Sequence, residues 1–479
     1  MKQKSIKKNM FMSVLLTVSN FIFPLITFGY VSRILTPIGT GKVAFVSSII
    51  QYFSYIATLG IPAYGLREAA KVREDKEKLS KLVHELLIIN FISTIFSFLL
   101  LIISVICIPK FNEYKTLFII MSCSIVLNTI GVEWLYNALE EYSYITIRSL
   151  IFKILYIPLV FLLINKESDY LIYGFLSIFV TSANYICNFI NIRKYITLTK
   201  FKNYDLKRHI KPILVLFSAS IIISIYANFD IIMIGFIKDE YAVGIYNAAL
   251  KIKNILLSLS TAVTSVLVPR IANYIHKKDY ENVKNIIVKS FNVSMLFAFP
   301  AIVYTFIFSK NILLFISGNS YLSATSTMKV LMICTIVLIF TNLFGNQLLI
   351  PLGKEKRFTQ GVFIGLFINI FLNILLIPKY GSFGAAIGTL ITEVWNVIWM
   401  ATAIPQYVKY IFLKSDWYKY LIAIIPSCFI SYILIYIFND INNMFLILIS
   451  GLIFVLNYFI LLFLQNESNL KNVKIKIKR

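Results

Sequence analysis

Among the charged residues within or at the edges of long apolar segments, where charge is expensive, seven are candidates for a role. They are Asp230, Glu393, Glu133, Lys251, Lys253, Lys329 and Arg33. An ionisable group in such a place faces a bundle interior or a wet path, paired or ready to bind. Acids there can trade protons or release a cationic partner. Cations there can hold an anion such as a phosphate by charge attraction. Asp230, in YANFDIIMIGF (226–236), is the one acid of an apolar segment that begins near Pro212. At 1.5 Å per residue it lies about 10 Å in from one end of its helix, and Lys251 about 13 Å in from the same side of the next, antiparallel helix. An ion pair or a shared proton site is therefore expected. Lys253 is two residues on and points about 200° away, so Lys251 is the expected partner. Asp230 is either a structural acid that fixes helix packing or a participant in moving a solute.

The other charges divide by position. Glu133 stands beside Trp134 near the end of a segment, where aromatic belts sit. It reads as an interfacial residue or as a substrate contact. Glu393, in GTLITEVWNVIWM, lies near the middle of its segment. Arg33 and Lys329 lie near an end, within reach of snorkelling, and Arg33 precedes the turn LTPIGTGK at the expected outer mouth of a cleft. Asn369 and Asn373, one turn apart, form a polar strip of the kind that glues helices together.

The elements that must position these residues follow from composition. Of 479 residues, 58% are hydrophobic and 14% charged, against about 25% charged in a soluble domain. Unbroken apolar runs of about 20 residues recur, each long enough to cross a hydrocarbon core as a helix. Barrel strands would alternate instead, and in lipid only helices or closed barrels satisfy the backbone. The chain reads as an all-α polytopic membrane protein with about fourteen spans. They are 11–32, 43–65, 82–108, 115–139, 144–164, 170–191, 212–236, 242–268, 287–308, 325–351, 359–378, 383–404, 417–438 and 444–465. The basic head and apolar body of MKQKSIKKNMFMSVLLTVSN resemble a signal peptide, but the body is too long and no small-residue cleavage site follows. It is taken as the first span. The five cysteines all fall inside apolar spans, without metal-ligand spacing, and read as core filler. His84, His209 and His276 lie in or beside polar loops. No metal site and no cofactor are expected.

Lys and Arg set the topology. One set of connections and tails carries 34 of them and the opposite set carries seven. Both termini are therefore expected in the cytoplasm. This asymmetry accounts for most of the +24 net charge, so nucleic acid is not an expected partner. The tail KNVKIKIKR suits anionic headgroups. Stretch 41–70 aligns with 244–273 at an offset of 203: Gly41 with Gly244, Arg67 with Arg270, Ala69 with Ala272. Six spans per repeat is even, so the copies share one orientation. The expected organisation is a six-helix bundle over 1–195, a plain basic cytoplasmic linker over 196–211, a second bundle over 212–404, and two further helices with a basic tail over 405–479.

Enzyme signatures are absent: no GxSxG, Walker loop, HExxH or acidic metal cluster. Four stretches carry a resemblance instead. They are FPLITFGYVSRILTPIGTGKVAFVSSIIQYFSYIATLGIPAYGLREAAKVRED, EWLYNALEEY, DIIMIGFIKDEYAVGIYNAALKIKNILLSLSTAVTSVLVPRIA and LLIPLGKEKRFTQGVFIGLFINIFLNILLIPKYGSFGAAIGTLITEVW. Together they resemble bacterial polysaccharide flippases of the Wzx (RfbX) type, in the MATE-like multidrug/oligosaccharidyl-lipid/polysaccharide exporter superfamily. The resemblance implies two pseudo-symmetric bundles. It also implies an undecaprenyl-pyrophosphate-linked sugar repeat unit as substrate, moved to the outer leaflet of the bacterial cytoplasmic membrane by alternating access. The product would feed O-antigen, capsule or another surface polysaccharide, with a polymerase and glycosyltransferases as pathway partners. In that setting Arg33, Lys251, Lys253 and Lys329 are the expected pyrophosphate contacts. Asp230, Glu393 and Glu133 are the acids that compete for them, and Arg67 and Arg270 guard the cytoplasmic entry. A lipid II flippase is the nearest alternative. A drug/cation antiporter would favour an acidic cleft, whereas here cations match or outnumber acids.

Overall fold

A computed structural model describes residues 6–197, 199, 201, 203–265, 267–437 and 443–470. Among the described residues every regular element is helical. Ten helices among the described residues are long and apolar enough to cross a membrane, and the chain is an all-α polytopic membrane protein. The C-terminal KNVKIKIKR lies outside the described residues. The chain divides into two compact units, 1–244 and 245–479.

Unit 1 holds α1 (Ile6–Thr58), α2 (Ile61–Val72), α3 (Lys76–Cys107), α4 (Pro109–Asn112), α5 (Lys115–Gly131), α6 (Glu133–Ala138), α7 (Tyr142–Leu163), α8 (Tyr170–Asn191) and α9 (Lys207–Ile237). α1 is two helical segments joined at Thr36, whose φ of 56° is left-handed. The expected turn stands there because Pro37 disfavours helical geometry in the residue before it. α1 packs on α3, α5 and α7, α5 on α8, and α2 on α6. Asp75 caps α3, its carboxylate accepting from the N–H groups of Glu77 and Lys78, which satisfies two orphan donors of the first turn.

α3 shows how such a bundle is sorted. Asn90, Ser93, Thr94 and Ser97 are buried, while Phe91, Ile92, Ile95, Phe96 and Leu99 are exposed. The helical period places each set on its own face. The polar stripe is inside and the apolar stripe outside, the reverse of a soluble helix. Ser93 Oγ donates to Ala57 O at 2.5 Å and Ser97 Oγ to Phe53 O at 2.6 Å. These bonds tie α3 to α1, as small polar residues do between membrane helices.

At the other end of unit 1 the chain crosses itself backbone to backbone. A Cβ on Gly41 would lie 1.8 Å from Glu240 O and 2.9 Å from Gly244 N, and one on Gly244 would lie 2.0 Å from Pro37 O. The two glycines that the sequence repeat aligns thus meet each other. Beside them Lys110 Nζ stands 3.0 Å from Glu240 Oε1, and the Tyr114 hydroxyl donates to the same carboxylate. Burial pushes the Glu240 carboxyl up, but the bonds from Tyr114 and Lys110 outweigh it and hold it below the usual carboxylate range.

α10 (Glu240–Ser265) begins in unit 1 and runs into unit 2. Unit 2 continues with α11 (Val268–His276), α12 (Tyr280–Ile307), α13 (Ser309–Ser317), α14 (Ala324–Thr341), a π-helical segment Asn342–Leu349, α15 (Glu355–Ala401), α16 (Pro405–Lys414), α17 (Trp417–Ile437) and α18 (Asn443–Leu464). α15 is again two segments, joined at Gly381 with φ 54°, just past Pro378. A Cβ on Gly384 would lie 2.5 Å from Leu376 O. Eight residues of straight helix span about 12 Å, so the chain reverses here, between the two expected spans. α14 packs on α15, α17 on α18, and α12 touches α14, α16 and α17.

Candidate functional site

Two helix breaks frame a cavity in unit 1. Leu59 and Gly60 (φ 45° and 75°) separate α1 from α2, and Val132 (φ 34°) separates α5 from α6. A β-branched residue at positive φ is a true outlier, and irregular backbone within a membrane protein is tolerated where it is buried in protein or lines a cavity. The carbonyls freed by the breaks are met by side chains. Ser93 takes Ala57 O, Asn90 Nδ2 takes Thr129 O at 3.2 Å, and Asn188 Nδ2 takes Gly131 O at 2.6 Å. The cavity measures about 450 Å³ and is lined by Asn90, Asn128, Glu133, Trp134, Asn137 and Tyr185 among others. A second hollow of about 300 Å³ shares Thr58, Pro62, Ala63 and Asn128 with it and adds Gln51 and Tyr55. Gly131 lets Tyr185 close over the wall, since a Cβ there would meet the ring at 2.2 Å.

Two buried cations on α7 escape a reading by loop charge. Arg148, 6% exposed, donates through Nε to Asn184 Oδ1 at 2.7 Å and through Nη1 to Asn188 Oδ1. Lys153, 8% exposed, donates to Ser19 Oγ at 2.7 Å and Asn20 Oδ1 at 2.5 Å. Neutral oxygens, rather than carboxylates, are what hydrogen-bond both, and Lys153 lies within electrostatic range of Glu133. Counted as a loop residue, Arg148 looks like topology. Lys153, a lone cation well inside the apolar run YSYITIRSLIFKILY, was the available signal.

Of the expected site residues, Glu133 lines the cavity. Asp230 is buried in unit 1, and Tyr52, whose hydroxyl donates to Ile225 O at 3.0 Å, lies within its electrostatic range. Arg33 is exposed, with Nη1 donating to Gly29 O at 2.5 Å. Arg67 is exposed on α2 and pairs with Glu68 at 3.0 Å. In unit 2, Lys251 is half-buried and Lys253 buried on α10. Lys329 is exposed, its ammonium 5.9 Å from the Phe306 ring centre. Arg270 is exposed on α11. Glu393 is buried and accepts from Thr341 Oγ1 at 3.0 Å. Asp230 belongs to one unit and Lys251 to the other, so their pairing stays a proposal. Asn373 Nδ2 donates to Asn369 Oδ1 at 3.1 Å, the strip that the spacing indicates. Among the described residues no cluster of metal-ligating side chains is present.

The stretch that reads as a plain basic linker is docked on unit 1. Glu85 is fully buried and accepts from His209 Nε2 at 2.9 Å, from the N–H of Asp205 at 2.8 Å and from Arg208 Nη2 at 2.5 Å. His209 Nδ1 meets the Tyr64 hydroxyl at 2.8 Å. Tyr195 and Ile196 are buried in the apolar cluster that α2, α3 and α6 build.

The family described as polysaccharide biosynthesis protein matches residues 6–275, and the MatE family matches 216–375. A protein of Escherichia coli (strain K12) named "Putative O-antigen transporter" is 24% identical over 395 residues, covering 81% of this chain and 94% of that one. Among solved structures, the lipid II flippase MurJ in an inward closed conformation superposes with a TM-score of 0.68 at 19% identity, over 95% of this chain and 99% of that one. An inward-facing multidrug resistance MATE family transporter gives 0.65 at 12% identity, over 84% and 99%. Both likenesses are of fold.

Proposed function

Because the chain belongs to the polysaccharide biosynthesis protein family, we propose that it is a flippase for oligosaccharide repeat units linked to undecaprenyl pyrophosphate. It carries them from the cytoplasmic to the outer leaflet of the bacterial inner membrane, for O-antigen, capsule or a related polymer. The observation that carries this reading is the relative named as an O-antigen transporter, matched across nearly its whole length. The polar interior of unit 1 behind an apolar exterior supports it, because a polar glycan needs such a path while its lipid stays in the bilayer.

In this reading both termini are cytoplasmic and two six-helix bundles, 1–195 and 212–404, alternate access to the substrate. Arg33, Lys251, Lys253 and Lys329 draw the pyrophosphate from the headgroup layer by charge attraction, and Arg67 and Arg270 stand at the entry. Asp230 and Glu393 compete with the substrate for those cations, and an ion gradient drives the exchange by protonating or loading them. The buried Arg148 and Lys153 add positive charge that no hydrogen-bonded carboxylate offsets.

Deletion of the chain in its parent strain is the test. The expected result is accumulation of the lipid-linked repeat unit on the inner leaflet. Unchanged amounts of that intermediate would sink the proposal, and accumulation of lipid II instead would assign the substrate of the alternative reading.

A further inference from the structure

The cavity at the breaks of unit 1 has a chemistry unlike that expected of a pyrophosphate site. Its lining carries one charge, the carboxylate of Glu133, together with the amides of Asn90, Asn128 and Asn137 and the rings of Trp134 and Tyr185. Among the described residues no cation stands in that lining to hold a diphosphate directly, and the buried Lys153 within electrostatic range of Glu133 offsets its charge. Amides offer donors and acceptors side by side, and aromatic faces cover C–H surfaces. That combination suits a polyol ring, which alternates hydroxyls with C–H faces. The volume of about 450 Å³ falls in the range of roughly 300–1,000 Å³ for small-molecule sites.

Asn90 makes the argument specific. It is 4% exposed. Its Nδ2 is spent on Thr129 O, whereas its Oδ1 is buried with no hydrogen-bond partner. An acceptor withdrawn from water and left unmet is costly, and such groups in native proteins call for an explanation. The broken helix ends do not supply one, because their carbonyls are already satisfied by Ser93, Asn90 and Asn188.

We propose that this cavity is the subsite for one uncharged sugar ring of the transported oligosaccharide, with Asn90 Oδ1 accepting a sugar hydroxyl or acetamido N–H and so setting specificity. The proposal rests on the flippase reading. The pyrophosphate is held elsewhere, by cations. Ala63 lines both hollows from an exposed position, so Ala63→Trp plugs the cavity without touching the Asn90–Thr129 bond.

The full chain in lipid nanodiscs free of glycosidic detergent is probed by saturation-transfer NMR with maltose and with chitobiose. Transfer to the ring protons of at least one sugar is expected. Ala63→Trp abolishes it, and Asn90→Leu, which keeps the side-chain shape and removes the acceptor, weakens it about tenfold. Thermal midpoints of both variants within a few degrees of the parent show that loss is not unfolding. No transfer to either sugar, undiminished transfer in folded Ala63→Trp, or displacement of the sugar by tetraphenylphosphonium would overturn the subsite. Deletion without accumulation of the lipid-linked unit overturns the flippase reading instead, and leaves the sugar measurement standing on its own.

Discussion

The two units differ in the backbone that surrounds their buried polar groups. Unit 1 breaks its helices with left-handed residues at 59, 60 and 132, repairs the loose carbonyls with serine and asparagine, and keeps a cavity open. Unit 2 joins part of its polar interior by side-chain hydrogen bonds. Ser290 Oγ donates to Gln347 Oε1 at 2.6 Å, Gln347 Nε2 to Asn342 Oδ1 at 3.1 Å, and Thr341 to Glu393. The α14 helix passes through that region without a break, widening into a π-helical stretch, a form frequent at functional sites. Amides there pack onto glycines, Asn396 on Gly365 and Asn373 on Gly388. The contrast teaches that polar content does not by itself mark a ligand site. Ser415 Oγ and Gln465 Oε1 of unit 2 are buried with no hydrogen-bond partner among the described residues, as Asn90 Oδ1 of unit 1 is; what marks Asn90 is that it also lines a cavity.

The contrast is broken most sharply by added bulk. Gly384→Val in unit 2 forces a Cβ against Leu376 O at the reversal of α15. We expect loss of folded protein, read by fluorescence-detected size exclusion, whereas Ala63→Trp in unit 1 yields a monodisperse peak near parent levels. Equal behaviour of the two variants would erase the distinction between the tight reversal of α15 and the open cavity of unit 1.

Next in size is Glu85→Ala, which strands the buried His209 and the N–H of Asp205. Removing one partner of a buried pair costs about 3 kcal/mol, seen as a lowered thermal midpoint in nanodiscs. Glu393→Gln keeps an acceptor for Thr341 and is expected to change stability by about 1 kcal/mol or less. If Glu393 couples an ion to transport, flipping falls while the midpoint holds; unchanged flipping returns it to a packing role. Asp230→Asn is read in the same way, and full surface polysaccharide at normal expression counts against a required acid.

The smallest effect is that of pH on the far end of unit 1. The Glu240 carboxyl is held below its unfolded value, about 4.3, by Tyr114 and Lys110 against the opposing effect of burial. Its contribution is therefore present above that value and lost as pH falls through the lower, folded one. Protection of amides 110–114 from hydrogen exchange should be flat from neutral pH to about 5 and decline only in more acid solution. A Glu240→Gln variant should lack that decline.

Much of this was legible in the sequence. The turns at LTPIGTGK and PKYGSFG appear where Pro and Gly punctuate the apolar runs, at Thr36 and Gly381. Gly41 and Gly244, aligned by the repeat, are in contact. The inward stripe of α3 was less visible, because Ser, Thr and Asn hardly dent the hydropathy of the run that carries them. Arg148 was hidden by its place near a span end, where a basic residue ordinarily reports topology. The docking of Asp205, Arg208 and His209 on Glu85 depends on a partner about 120 residues away, and no local pattern encodes such a pairing.

That docking has a consequence for biogenesis. Until residues 205–209 leave the ribosome, Glu85 is a carboxylate in an apolar cluster with none of its three donors. Chains stalled after α8 leave that carboxylate to water, since an unpaired buried charge is costly. The docking on Glu85 is therefore completed only as α9 is being made, so the order of synthesis times the neutralising of this buried acid.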